Sequence, residues 1–124
     1  MRSSAVIAVA FAGLLIAAAP AHAAGKNIPY TYTIDDNPGG KATFLWNGDD
    51  LVVCDDQTDG YGAIATLYNS SGRVLKTVHD AGHDSTCYKN PDDIADGLGV
   101  RLTVCLYKGG IYTYFCRTSV WGVS

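Results

Sequence analysis

After residue 23 the chain consists largely of short runs rich in β-branched and aromatic residues, separated by clusters of Gly, Asn and Asp. That punctuation belongs to strands and turns. The acidic residues agree with it: all 12 are Asp, there is no Glu, and the only Met is Met1. Asp favours turns and caps, whereas Glu and Met favour helix interiors.

Strands are expected at 30–34, closed by the polar segment Asp35 to Gly40, and at 42–46, closed by Asn47-Gly48. An Asn-Gly pair accepts the positive φ of a hairpin turn at little cost, so 51–54 returns antiparallel. A second hairpin joins 63–68 to 73–79 across Asn69-Ser70-Ser71-Gly72. The stretch 100–107 has period two, with Leu102, Val104 and Leu106 on one face and Arg101, Thr103, Cys105 and Tyr107 on the other. A two-residue turn at Gly109-Gly110 would set Val104 opposite Phe115 and Cys105 opposite Tyr114. Cys116 would then sit diagonal to Cys105 at the limit of disulfide reach, which calls for a longer loop or a bulge. Residues 80–99 are expected to form a tethered loop, with room for one helical turn at 91–95. The sum is an all-β fold, a small antiparallel two-sheet sandwich of about seven strands.

The first 23 residues read as an export signal: Arg2, an apolar run over 5–19, then Ala21-His22-Ala23 as a cleavage site. The run is shorter than the roughly 20 residues a bilayer span needs, and Pro20 ends it. Residues 24–124 are then a single secreted domain with no membrane attachment after cleavage. Cys54, Cys87, Cys105 and Cys116 form an even set in a small exported domain, where disulfides persist. Four cysteines allow three pairings. The hairpin geometry favours Cys105–Cys116, which leaves Cys54–Cys87, and the two bridges would consume every thiol.

Without the signal, eight basic residues face twelve acidic ones, a net charge of −4 with His79 and His83 neutral. That balance argues against a nucleic-acid partner. Asp55, Gln57 and Asp59 have the alternate spacing that opens a calcium loop, with Gly60 for the turn. Gln stands at the middle position and Thr66 where a bidentate Glu should close the site, so turn chemistry accounts for the segment and a weak calcium site is the alternative; no other cofactor is expected. His79 and His83 have a zinc-pair spacing, but Gly82 lies between them in a loop.

No G-x-S-x-G, H-E-x-x-H or phosphate-cradling glycine motif occurs, and the Asp pairs are turn neighbours that point apart. A non-enzyme is therefore expected, with a small hydrolase as the exception. The aromatic residues around the C-terminal hairpin are more suggestive, and Tyr112, Tyr114, Arg117 and Trp121 are the candidate contact residues. Packing across strands is their ordinary role, and Tyr112 and Tyr114 would share a face with Cys116.

The Ala-rich signal, the segment Gly48 to Asp55, Thr58-Asp59-Gly60-Tyr61-Gly62 and Arg101-Leu102-Thr103-Val104-Cys105 resemble the short secreted four-cysteine proteins of Streptomyces and related actinobacteria. The resemblance covers most of the mature chain and implies secretion and disulfides, not a particular activity. A looser likeness is to the tendamistat-type α-amylase inhibitors, small secreted β-sandwiches with two disulfides. Their Trp-Arg-Tyr tripeptide is absent, since Arg117 and Trp121 are separated. The expected function is a monomeric secreted binding module, an inhibitor or ligand of an extracellular protein or glycan. The alternative is a structural component of the cell surface or spore envelope.

Overall fold

A computed structural model describes residues 24–82, 86–110 and 112–124, so the expected signal over 1–23 and the side chain of His83 lie outside the described residues. The described residues form nine strands and no helix, arranged as two antiparallel sheets. In the first, β1 (Ile28–Tyr32), β2 (Gly40–Leu45), β3 (Asp50–Asp55) and β6 (Cys87–Asn90) lie in that order. In the second the order is β5 (Val74–Asp80), β4 (Gly62–Asn69), β7 (Gly99–Lys108), β8 (Tyr112–Thr118), and β9 (Gly122–Val123) pairs with the start of β7.

Alternation puts one face of each strand into a shared core. Ile28, Ala42, Phe44, Leu51 and Val53 from the first sheet meet Ala63, Ala65, Leu67, Val78, Val100, Leu102 and Val104 from the second. Leu75, Ile94 and Leu98 close its margin. The period-two expectation for β7 holds: Leu102, Val104 and Leu106 are buried and Arg101 is exposed. Both expected disulfides are present, Cys54–Cys87 and Cys105–Cys116.

Several local expectations need correction. There are nine strands among the described residues, not about seven, because β6 and β9 carry no hydrophobic alternation to announce them. β6 is held instead by register, with Cys54 directly opposite Cys87. β9 is held by Lys26, whose N–H donates to Val123 O (2.8 Å) and whose carbonyl accepts from Val123 N (3.0 Å). The helical turn at 91–95 does not form. Asn90 Oδ1 accepts from Asp92 N (3.0 Å) and Asp49 Oδ2 from Ile94 N (3.0 Å), which holds the segment against the β2–β3 turn. That turn is longer than an Asn-Gly pair, running from Leu45 to its partner Asp50, and the positive φ falls on Gly48 and Asp49.

The β7–β8 hairpin also differs from the two-residue turn. Lys108 pairs with Tyr112, Leu106 with Tyr114 and Val104 with Arg117, so Phe115 and Cys116 together oppose Cys105. This is a β-bulge, and within it Phe115 takes a left-handed φ of 53°. The bulge reverses the alternation of β8. Tyr114 and Arg117 share the inner side with Leu106 and Val104, while Cys116 reaches Cys105 on the outer face. Tyr112 and Tyr114 therefore do not share a face with Cys116.

β5, an outer strand, turns two charged residues inward, Lys76 and Asp80. Lys76 is 6% exposed, and its Nζ donates to the carbonyls of Asp49, Asn90 (3.2 Å) and Asp92 (2.5 Å). Asp80 is fully buried and accepts from Asp55 N and Gly82 N, both at 2.9 Å. Inward charges of this kind keep an edge strand from pairing with a stranger. β8, the opposite edge, has all seven of its residues exposed.

Candidate functional site

The outer face of the second sheet is built from the residues of β4 and β7 that the core does not use. Tyr68 on β4 is paired with Arg101 on β7, so their side chains stand side by side on that face. One step along, Thr103 pairs with Thr118 of β8 and their hydroxyls meet at 3.2 Å. Beyond Thr118 the chain turns back across β7: Ser119 N donates to Leu102 O (2.8 Å) and Leu102 N to Ser119 Oγ (3.0 Å). This reversal lays the Trp121 indole over Arg101, with the guanidinium carbon 4.6 Å from the ring centroid. Such a pair is attracted by the ring quadrupole and fixes the orientation of both groups.

The result is a shallow depression of about 470 Å³ lined by Tyr68, Arg101, Thr103, Thr118, Trp121 and the β4–β5 turn at 69–72. Trp121 is 44% exposed. The turn is rigid, because Asn69 Oδ1 accepts from Ser71 N, Ser71 Oγ and Arg73 N at 2.8–3.0 Å. Among the described residues no carboxylate lies within salt-bridge distance of Arg101.

A second depression opens on the other side of β8. Its volume is about 290 Å³, and residues 29–32 of β1 and its flank face residues 117–120. The two edges are joined where Ile34, just after β1, donates its N–H to Phe115 O (3.0 Å), and the depression lies between residues 29–32 and 117–120. Tyr30 and Tyr32 are both nearly half exposed there, and among the described residues Arg117 is the only charged one in the lining. Thr118 lines both depressions.

The four candidate contact residues are thus distributed over three places. Arg117 and Trp121 lie on either side of Thr118, in adjoining depressions. Tyr114 is 42% exposed and meets Tyr61 edge to face at 5.8 Å, while Lys108 covers Tyr61 at 5.2 Å. Tyr112 is opposite Lys108 and 62% exposed, so this group forms a separate cluster at the hairpin end. Tyr114 and Arg117 stay on the inner side at different points along β8, and the reversal after Thr118 carries Trp121 to the outer one. Tyr68 and Arg101 escaped the sequence reading as site residues, since only the β4–β7 register brings them together.

The three calcium candidates serve separate bonds. Asp55 is 1% exposed at the inner end of β3, and its Oδ1 accepts from Gln57 N (3.2 Å). Gln57 Nε2 donates to Asn37 O (2.6 Å), and Asp59 Oδ1 accepts from Tyr61 N (3.0 Å). Among the described residues no group of three or more His, Cys, Asp or Glu is placed to hold a metal. An excess of chelator is expected to leave the melting temperature unchanged, and a fall of several degrees would put a cation on this loop. His79 lies edge to face with Tyr107 at 5.4 Å on the outer face of β5 and β7. The Tyr107 hydroxyl is held above its ordinary 10.0, first by burial and then by the negative charges of Asp80 and Asp55.

No protein-family model matches the chain. No curated protein matches it. Among solved structures it is similar to an endonuclease/exonuclease/phosphatase from Beutenbergia cavernae DSM 12333, with 24% identity and a TM-score of 0.53. The similarity covers 78% of this chain and 27% of that longer one, and it is a likeness of fold.

Proposed function

We propose that the protein is a secreted, non-enzymatic binding module that holds a saccharide on the outer face of its second sheet. The observation that carries this reading is the half-exposed Trp121 indole, fixed on Arg101 within a wall of hydroxyl and amide side chains. A sugar ring has an apolar C–H face that stacks on an indole and a rim of hydroxyls that needs hydrogen-bond partners. An aromatic floor with convergent polar groups answers both requirements. Two disulfides fit an oxidising compartment, and no helix among the described residues is long and apolar enough to cross a membrane.

The chain has two tryptophans, so Trp46→Phe leaves Trp121 as the sole indole reporter. Titrating that variant with soluble polysaccharides is expected to change its fluorescence saturably. Trp121→Ala in the natural background is expected to lose binding by about tenfold or more, since an aromatic anchor of this kind carries about 2 kcal/mol. Its melting temperature should stay close to that of the parent, because Trp121 is outside the core. Absence of binding to every polysaccharide offered would reject the reading.

A further inference from the structure

The twelve acidic residues of the chain fall at 35–36, 49–59, 80–84 and 92–96, and none of the described ones lines either depression beside β8. The charges that do line them are two guanidinium groups, Arg101 on the outer side and Arg117 on the side facing β1. Within a chain of net negative charge, the surface that bends around the end of β8 is therefore positive, and Thr118 makes its two halves continuous. Each half also carries aromatic rings, Trp121 and Tyr68 on one and Tyr30 and Tyr32 on the other.

We infer that this surface binds a linear polyuronate, a glycan with one carboxylate on each sugar ring, and that the chain of sugars passes over Thr118 from Arg101 to Arg117. The inference rests on the saccharide-binding reading and names its ligand class. Charge complementarity selects an anion, and the guanidinium fork matches a planar carboxylate. The contact between Arg101 and Trp121 selects where that anion must be. Arg101 occupies one face of the indole and both residues line the same depression, so a ring stacked on the free face leaves the guanidinium within reach of a carboxylate at that ring's edge. A uronate meets this condition because its carboxylate is bonded directly to the ring, whereas a phosphodiester lies between units. Arg117 and the two tyrosines then take a following unit of the same kind. The depression of about 290 Å³ between β1 and β8 leaves room for it.

The test compares binding of the intact protein to polygalacturonate, to its fully methyl-esterified form and to single-stranded oligo-dT, at two salt concentrations. Polygalacturonate is expected to bind, and esterification to weaken it by about tenfold, with affinity falling as salt rises. Arg101→Gln is expected to weaken both the polymer and a short oligouronate. Arg117→Gln should weaken the polymer and leave the shortest binding oligouronate unaffected. Arg101→Lys, which keeps the charge and loses the fork, should fall between. Thermal melts of each variant confirm that the fold is intact.

Equal affinity for the esterified polymer would overturn the inference while leaving saccharide binding in place. Failure of both glycans would overturn the inference, and the saccharide reading itself would fall only if the other soluble polysaccharides also failed to bind. Binding of oligo-dT as tight as that of polygalacturonate would show a general polyanion surface and reject the ligand class. An Arg117→Gln variant equal to the parent on the polymer would confine the ligand to the Trp121 side and reject the path across Thr118.

Discussion

Replacing Lys76 with alanine is expected to lower the stability of the folded protein by about 3 kcal/mol and its melting temperature by roughly 15 °C. The reason is the number of groups that depend on one ammonium. Three backbone carbonyls, from Asp49, Asn90 and Asp92, receive hydrogen bonds from Nζ at a site that is 6% exposed. They belong to the β2–β3 turn, to the end of β6 and to the segment after it, so the lysine binds three pieces of chain to β5. Lys76→Met keeps most of the buried stem and removes the donors. It should be nearly as unstable as the alanine variant, and a methionine variant as stable as the parent would show that packing, not hydrogen bonding, does the holding.

The same residue gives a pH signature. Burial pushes the Lys76 ammonium below its ordinary 10.5, against the opposing pull of Asp49, Asp92, Asp50 and Asp93. Between the lowered value and 10.5 the unfolded chain retains a proton that the folded one has released. Stability from this group therefore rises with pH across that window. Tyr107 acts in the opposite sense: its raised pKa makes stability fall as pH climbs above 10.0. Urea unfolding of the parent and Lys76→Met at pH 8 and 10.5 separates the two. The Tyr107 contribution cancels in the difference, and the parent's advantage should widen at the higher pH.

Removing the Cys54–Cys87 bridge by the double substitution Cys54→Ala and Cys87→Ala should cost about 4 kcal/mol on the chain-entropy model. That estimate reflects a sequence separation of 33; the separation of 11 between Cys105 and Cys116 gives about 3 kcal/mol. The structure adds a reason for the larger effect. Among the described strands β6 pairs with β3 alone, and three of its four residues are exposed, so besides the bridge and its ladder it is retained chiefly by the bonds of Asn90 to Lys76 and to Thr77 O. Loss of β6 would also displace the carbonyls of Asn90 and Asp92 from Lys76. The effects of the cysteine pair and of Lys76→Ala should thus sum to less than their separate values. Chemical denaturation of the single, double and triple variants measures this, and full additivity would mean that β6 stays docked without its bridge.

How far the sequence foretold these features depends on the distance over which each is decided. The β4–β5 hairpin at Asn69 to Gly72 and the face pattern of β7 are local, and both were legible. Pairing of Cys105 with Cys116 was legible too, because a tight hairpin brings them close. β6 was not, since Tyr88 and Lys89 are exposed neighbours and its partner strand lies more than 30 residues upstream by the bridge separation. The bulge at Phe115 was foreseen as a possibility but not placed. A left-handed Phe contradicts its own backbone preference, and only the Cys105–Cys116 bridge and the Ile34 contact explain it. Trp121 was visible as an aromatic near the end of the chain. Its setting was hidden, because Arg101 and Tyr68 become neighbours only through the β4–β7 register.

The rungs between Lys26 and Val123 tie together segments near the two ends of the described chain, and β7 cannot be flanked on both sides until β4, β8 and β9 have all arrived. Sandwiches with so many non-local pairings fold in milliseconds to seconds, not microseconds. Throughout that interval four thiols await partners, and two of the three possible pairings are wrong. Loop closure favours short separations, so the β7–β8 hairpin brings Cys105 to Cys116 before the distant pair can meet. Once that bond is made, a single pairing is left for Cys54 and Cys87. The short bridge, by closing first, thereby narrows the choice left to the distant pair.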